Sequence, residues 1–176
     1  MTLDERVRKA IRDVPDFPKP GILFKDITPI LNDPELFREI IDAMANELSG
    51  QKVEGIAGIE SRGFLFGPSI ANKLDVPFIM IRKKGKLPYK TASYNYNLEY
   101  GTAEVEIHID AVHEGQKIII HDDVLATGGT AAAAAELILS QNACVAGFNF
   151  LVELTFLNGH KAITKYSENI SNLVGF

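Results

Sequence analysis

The chain has 176 residues, of which 46% are hydrophobic, so it is expected to form a single domain over residues 1–176 with a packed core. Its formal net charge is −5, which argues against a general nucleic-acid binder because such proteins are usually basic. A nucleic-acid partner is therefore not expected. No apolar run reaches the roughly 18 residues of a membrane span, so a membrane partner is not expected either. The single cysteine fits a reducing cytoplasm.

The N-terminal part of the chain predicts two helices separated by a loop. Apolar residues recur at three- to four-residue spacing across residues 3–14, which indicates a short amphipathic helix. A loop rich in proline and glycine follows at residues 15–21. Asp33 can then cap a second helix, in which Pro34 suits the first position and the apolar stripe ends before Gly50.

Downstream, short apolar runs alternate with helical patterns. The predicted strands are Val53–Ile59, Phe78–Ile81, Ala103–Ile109, Lys117–His121 and Cys144–Val152, and the predicted helices are Phe64–Leu74 and Thr130–Leu139. A long loop is expected over Gly85–Tyr100, and Cys144 is expected to be buried because its neighbours are apolar. The alternation predicts an α/β fold, a mainly parallel twisted sheet flanked by helices, with ligands outside the carboxyl ends of the strands.

The most informative segment is an apolar strand that ends in two carboxylates, Asp122 and Asp123. A turn follows and leads into an alanine-rich helix; its residues are Ala126, Thr127, Gly128, Gly129 and Thr130. Glycine allows close approach of the backbone to a ligand, and N–H groups at a helix N-terminus bind phosphate. Ionised carboxylates accept hydrogen bonds from sugar hydroxyls or hold a cation. The segment therefore matches ribose 5-phosphate, with a ligand-free turn before a capped helix as the alternative.

Several other site types have no counterpart in the sequence. Neither the P-loop pattern nor the GxGxxG pattern of dinucleotide-binding folds is present. The four histidines lack the spacing of zinc ligands, and no Gly-x-Ser-x-Gly elbow indicates a hydrolase. His121, directly before the two acids, is expected to be a packed or hydrogen-bonded residue rather than a base.

Residues 122–130 resemble the motif with which type I phosphoribosyltransferases bind phosphoribosyl pyrophosphate (PRPP), in the form found in adenine phosphoribosyltransferases. The resemblance implies that Asp122 and Asp123 hold the ribose hydroxyls and that residues 126–130 cradle the 5-phosphate. It also implies the type I phosphoribosyltransferase fold, with a small hood built from the N-terminal segment.

Two further segments are similar to the pyrophosphate side of this family's site. Glu60, Ser61 and Arg62 resemble its pyrophosphate loop, where an unusual peptide geometry turns N–H groups toward the ligand; helix capping is the alternative explanation of these charges. The basic run that contains Arg82, Lys83 and Lys86 resembles the start of a flexible catalytic loop, expected over residues 83–101, although charge runs are often solvated surface.

The far end of that loop is represented by Leu98–Thr102. By the resemblance, Glu99 would handle a proton at the purine, and Tyr100 would help to close the site. The hood is expected over residues 14–30, where Phe24 would stack on one face of adenine and Val124 would pack on the other, while backbone groups around Leu23 and Lys25 read the edge of the base.

The resemblance implies an adenine phosphoribosyltransferase, which converts adenine and PRPP to AMP and pyrophosphate with Arg62 and Glu99 as catalytic residues. It also implies Mg²⁺ held mainly by PRPP, without a dedicated set of protein ligands, and a homodimer. Two alternatives stay open: a phosphoribosyltransferase for another base, and a non-catalytic regulator that senses PRPP.

Overall fold

The structure is a computed structural model that describes residues 1–97 and 102–176. Its helices are α1 (Leu3–Ala10), α2 (Thr28–Leu31), α3 (Pro34–Ser49), α4 (Gly63–Leu74), α5 (Gly129–Ser140) and α6 (Gly159–Ile163). Its strands are β1 (Arg12–Pro15), β2 (Leu23–Asp26), β3 (Gly55–Ile59), β4 (Phe78–Lys83), β5 (Thr91–Asn97), β6 (Thr102–His108), β7 (Lys117–Leu125), β8 (Cys144–Glu153) and β9 (Ile170–Gly175).

A seven-stranded sheet organises the molecule, in the order β5-β6-β4-β3-β7-β8-β9. The five strands from β4 to β9 run parallel, whereas β5 and β6 form an antiparallel hairpin that joins the edge of β4. The predicted α/β fold with a mainly parallel sheet is therefore confirmed. A separate two-stranded sheet pairs β1 with β2; β2 lies within the expected hood segment, whereas β1 begins two residues before it.

Both faces of the parallel sheet are buried, and β7 shows how the sequence achieves this. Successive side chains of a strand point to opposite faces. Ile118 and Ile120 accordingly join the core beneath α5, whereas Ile119 joins the core beneath α1, α3 and α4. A strand covered on both faces must be apolar at consecutive positions, which explains the continuous apolar run from residue 118 to 120.

The ends of α3 follow the expected capping chemistry. The Asp33 side chain accepts hydrogen bonds from the N–H groups of Glu35 and Leu36, at 3.1 and 3.0 Å, and Pro34 occupies the first helical position. The helix ends at Ser49, directly before Gly50, as predicted.

Several expectations were wrong or incomplete. The helix expected across residues 3–14 ends at Ala10, because residues 12–15 form β1 and pair with β2. The expected loop over Gly85–Tyr100 contains β5, where Ala92, Tyr94 and Tyr96 alternate with polar residues. Ala92 and Tyr96 pack against the core beneath α5, whereas Tyr94 is exposed. The final strand β9 was not predicted. Cys144 is exposed, because it begins β8 at the amino edge of the sheet, where the helices no longer cover the strand.

Candidate active site

The two acids lie within β7, which continues to Leu125 instead of ending at His121 as predicted. The extension arises because β8 provides partners as far as Glu153. Asp123 is 1% exposed and Asp122 is partly exposed. Burial raises the pKa of both carboxyls; the charge of Asp123 raises that of Asp122 further, whereas the guanidinium of Arg62 opposes the rise at Asp123.

The turn after β7 is shaped by one glycine in a left-handed conformation. Gly128 has φ of +84° and precedes α5, which begins at Gly129. A Cβ on Gly128 would lie 2.5 Å from the carbonyl oxygen of Gly159, so the turn packs tightly against the start of α6. Because the first N–H groups of a helix lack intrahelical acceptors, Gly129 and Thr130 present donors at this point. Thr127 is exposed and Ala126 is half-buried.

The segment Glu60-Ser61-Arg62 connects β3 to α4 directly beside the acids. The peptide bond between Glu60 and Ser61 is cis. A Cβ on Gly63 would lie 2.9 Å from the carbonyl oxygen of His121, so α4 begins in close contact with β7. This approach brings the Arg62 Nε to 3.2 Å from Asp123 Oδ2.

Arg62 also links the acids to the N-terminal segment. Its guanidinium carbon lies 5.0 Å from the centroid of the Phe24 ring, within the range of a cation–π contact. The side chain is 38% exposed, and among residues 1–97 and 102–176 it donates no hydrogen bond. Its terminal N–H groups are therefore available to an anion in the cleft.

Two carboxylates, those of Glu60 and Glu106, accept hydrogen bonds from the basic run at residues 82–86. Glu60 accepts hydrogen bonds from Arg82 at 3.1 and 3.3 Å and from the backbone N–H of Lys83 at 3.0 Å, and the Arg82 hydrogen bond lowers the pKa of Glu60. Lys86 Nζ is 3.9 Å from the same carboxylate. Arg82 and Glu60 thus neutralise one another, while the side chains of Lys83 and Lys86 remain exposed.

Glu106 is the second of these carboxylates, and sequence reasoning missed it. It is 2% exposed and accepts the backbone N–H groups of Lys86 and Leu87, at 3.0 and 2.9 Å. Burial disfavours its charge, but the N–H donors outweigh burial and lower its pKa. Glu106 therefore fixes the turn at the base of the β5–β6 hairpin.

A cavity of about 310 Å³ lies where these segments meet, outside the carboxyl ends of β3, β4 and β7. Its lining includes eight predicted residues, which are Glu60, Ser61, Arg62, Arg82, Lys83, Asp122, Asp123 and Thr130. It also includes Ile59, Tyr96, Ala103 and Val105, which were not predicted. Tyr96 could have been found from the period-two alternation of Ala92, Tyr94 and Tyr96, which indicates a strand.

The predicted adenine residues lie outside this lining. Leu23 and Phe24 belong to β2, where Phe24 contacts Phe17 edge to face at 5.1 Å between ring centroids. The Lys25 side chain points elsewhere, since its Nζ lies 2.6 Å from Asp13 and 3.9 Å from the Phe176 ring. Val124 is half-buried on β7 and packs against the core. Arg62, which lines the cavity, contacts the Phe24 ring and thereby connects the β2 segment to the cavity.

Glu99 and Tyr100 lie outside the described residues, between β5 and β6 in the sequence. The strands that flank them are paired up to Asn97 and Thr102. The hydroxyl of Tyr96, near that end of β5, is 3.3 Å from the Thr130 hydroxyl.

His121 is fully buried beside the acids and hydrogen-bonded, as expected. Its Nδ1 is 3.1 Å from Asn149 Oδ1, and Asn149 donates in turn to Ser171 at 3.0 Å. This chain of bonds crosses from β7 through β8 to β9. Burial lowers the pKa of His121 to about 4, so the imidazole is neutral at pH 7.

The part of the chain at residues 1–97 and 102–176 has neither a metal-ligand cluster nor a helix suited to a bilayer. No group of three or more His, Cys, Asp or Glu side chains is arranged to bind a metal ion there. None of the helices in the same part of the chain has the length and apolar character required to cross a bilayer.

Known proteins with similar sequences and structures point in one direction. A family model described as a phosphoribosyl transferase domain matches residues 26–171. The adenine phosphoribosyltransferase of Thermoanaerobacter pseudethanolicus is 52% identical over 176 residues, which is 100% of both chains. A crystal structure of the enzyme from that organism covers 99% of this chain and 100% of its own, with a TM-score of 0.95 and 51% identity.

A second solved structure carries ligands. The adenine phosphoribosyltransferase of Saccharomyces cerevisiae, complexed with adenine and D-2,5-dideoxy-2,5-imino-altritol 1,6-bisphosphate, is 41% identical. The match has a TM-score of 0.91 and covers 97% of this chain and 98% of that one.

Proposed function

The chain belongs to the phosphoribosyltransferase family, among the adenine phosphoribosyltransferases, and from this we propose that it transfers the ribose 5-phosphate of PRPP to adenine, forming AMP and releasing pyrophosphate in purine salvage. One observation carries the proposal. The acidic pair, Thr130 of the glycine turn and the Arg62 guanidinium line a single cavity, at the edge of the sheet where ligands of such folds bind.

The reaction breaks the bond between the ribose C1 and the pyrophosphate oxygen while a purine nitrogen attacks C1. Positive charge develops on the ribose ring and negative charge on the leaving group. Arg62 suits the negative side because its planar fork of donors matches phosphate oxygens. Donors that are already in place where charge develops stabilise a transition state most effectively.

The acidic pair serves the ribose. Asp122 and Asp123 accept hydrogen bonds from the ribose hydroxyls and thereby position C1. Burial raises the pKa of both carboxyls and so disfavours their ionised form, whereas positive charge that develops on the ribose favours it. The 5-phosphate occupies the turn at residues 126–130, where backbone N–H groups and the hydroxyls of Thr127 and Thr130 are its donors.

The second substrate lies on the Phe24 side of Arg62. Phe24 stacks on adenine, Val124 packs on the opposite face, and backbone groups around Leu23 and Lys25 read the base edge. The contact of Arg62 with the Phe24 ring supports this arrangement, because it joins the β2 segment to the acidic pair. Glu99 handles the purine proton, and Tyr100 helps to close the site; both belong to the catalytic segment expected over residues 83–101, which includes β5.

Magnesium is the expected cofactor. Mg²⁺ prefers oxygen ligands, keeps several waters and is commonly held by substrate phosphates together with one or two carboxylates. The site offers the carboxylates of Asp122 and Asp123 but, in residues 1–97 and 102–176, no larger ligand cluster, which fits an ion held mainly by PRPP. Bound there, the ion would neutralise charge on the pyrophosphate.

Two properties of the whole protein complete the proposal. The family resemblance favours a homodimer, which light scattering coupled to size exclusion would measure directly. The cysteine content, a single residue, favours a reducing cytoplasm as the working compartment.

The decisive experiment incubates the purified protein with PRPP, Mg²⁺ and each purine or pyrimidine in turn and detects the nucleotide formed. AMP from adenine, with pyrophosphate in equal amount, is the expected product. The double variant Asp122→Asn, Asp123→Asn should lose turnover while keeping its fold. Turnover with another base but not with adenine would assign a different specificity, and PRPP binding without turnover of any base would favour a regulator.

A further inference from the structure

Tyr96 is a side chain of the cavity to which the proposed chemistry assigns no role. It lies on β5, is half-buried and lines the cavity together with Asp122, Asp123 and Thr130. Its hydroxyl oxygen is 3.3 Å from the Thr130 hydroxyl oxygen, within hydrogen-bonding distance. The β5–β6 hairpin therefore meets the phosphate turn through a polar contact.

The position of Thr130 at the start of α5 determines what its hydroxyl can bind. Thr130 is the second residue of α5, so its hydroxyl stands at the positive end of the helix, among N–H groups that have no acceptor within the helix. A hydroxyl has one proton to donate and two lone pairs that accept. Thr130 can therefore accept a bond from Tyr96 and donate its own proton to a phosphate oxygen at the same time.

Either hydroxyl of this pair could be the donor by geometry, and relative acidity favours Tyr96. The phenol of tyrosine, with an ordinary pKa of about 10, is a better donor than the aliphatic hydroxyl of threonine. When Tyr96 donates, the remaining proton of Thr130 is turned away from Tyr96 and toward the cleft. Chains of hydrogen bonds also polarise one another, which strengthens the terminal donor.

We propose that Tyr96 is a positioning residue for the 5-phosphate of PRPP, which acts by donating to Thr130 and aiming the Thr130 hydroxyl at that phosphate. The inference rests on the proposed function, because it takes the turn at residues 126–130 to be the phosphate site. It gives the hairpin a specific task, because β5 then contributes to the phosphate site through Tyr96.

The test replaces Tyr96 with phenylalanine, which removes the hydroxyl and keeps the ring. A typical net hydrogen-bond contribution corresponds to roughly a 3- to 10-fold change in affinity. We therefore expect the Kd for ribose 5-phosphate and the KM for PRPP to rise about 3- to 10-fold, while the KM for adenine and kcat change less than about twofold.

Two further variants separate positioning from general damage. Tyr94→Phe removes a hydroxyl from the same strand, two residues away, outside the cavity lining, and should leave all constants unchanged. Thr130→Val removes the hydroxyl that Tyr96 orients. In the Thr130→Val background, Tyr96→Phe should have no further effect on ribose 5-phosphate binding, because the pair acts as a unit.

An unchanged affinity of the Tyr96→Phe variant for ribose 5-phosphate would overturn the inference, and so would an equal rise in the KM for adenine or strictly additive effects with Thr130→Val. Thermal unfolding of each variant by circular dichroism identifies a loss of fold as the cause. If the wild-type protein itself fails to bind ribose 5-phosphate, the proposed function is wrong as well, which distinguishes the two failures.

Discussion

Gly159 packs against the phosphate turn, and its replacement by alanine tests whether PRPP binding requires the exact position of that turn. A Cβ on Gly159 would lie 2.1 Å from the carbonyl oxygen of Ala126. Since ordinary van der Waals contacts begin near about 3.5 Å, the turn or the start of α6 has to move by roughly 1 Å. A displacement of about 1 Å in a site costs roughly 100-fold in rate.

We therefore expect kcat/KM for PRPP to fall about 100-fold in Gly159→Ala. The free energy of unfolding should also fall, by about 1–3 kcal/mol, the usual cost of overpacking. Steady-state kinetics with varied PRPP measures the first quantity, and urea unfolding measures the second. Gly50→Ala is the matched control, because a Cβ there would meet nothing within 4 Å.

A folded Gly159→Ala protein with wild-type kcat/KM for PRPP would refute the reasoning. It would mean that the turn tolerates movement without loss of its ligand, so that the contact with α6 does not position it.

Three more outcomes follow from the structure. Arg62→Ala should lower kcat at least about 100-fold, measured by AMP formation, whereas Arg38→Ala, distant from the cavity, should not. Glu106→Ala should accelerate hydrogen exchange at the Lys86 and Leu87 amides and cost about 1–3 kcal/mol of stability, because two backbone N–H groups lose their buried acceptor, while Glu104→Ala should leave these amides protected. His121 has a folded-state pKa of about 4, below its ordinary value of about 6.5, so its contribution to stability is complete above pH 6.5 and is lost as the pH falls toward 4. Urea unfolding between pH 7 and 4 should show this loss, with a shallower pH dependence in His121→Asn.

The elements that were predictable are those whose signal is local. Asp33 and Pro34 specify the start of α3 by themselves, because a cap and a fixed φ act within one turn of chain. The apolar run of β7 was equally clear, since burial on both faces requires it. The end of β7 was not, because residues 122–125 are in the strand only through their pairing with β8, which is distant in sequence.

The site was predictable in its residue types but not in its internal contacts. The sequence pattern identified Asp123 and Arg62 separately, yet only the packing of Gly63 against β7 brings the two side chains within 3.2 Å. Tyr96 was missed because the glycine and proline of residues 85–88 favoured a loop. Glu106 lies in a strand that was predicted, but its partners, the N–H groups of Lys86 and Leu87, come from a turn about 20 residues away and left no signal near it in the sequence. The residues that follow this turn form β5 by pairing with β6, which comes later in the sequence.

The exposed position of Cys144 has a practical consequence. It is the single thiol of the chain, and it lies at the amino end of β8, whereas the cavity lies at the carboxyl end of the sheet. Ten strand residues at about 3.3 Å each separate the two ends of β8 by roughly 30 Å. A maleimide fluorophore would therefore attach at one defined point on the opposite side of the molecule, and its emission anisotropy could report ligand-dependent changes without the dye entering the pocket.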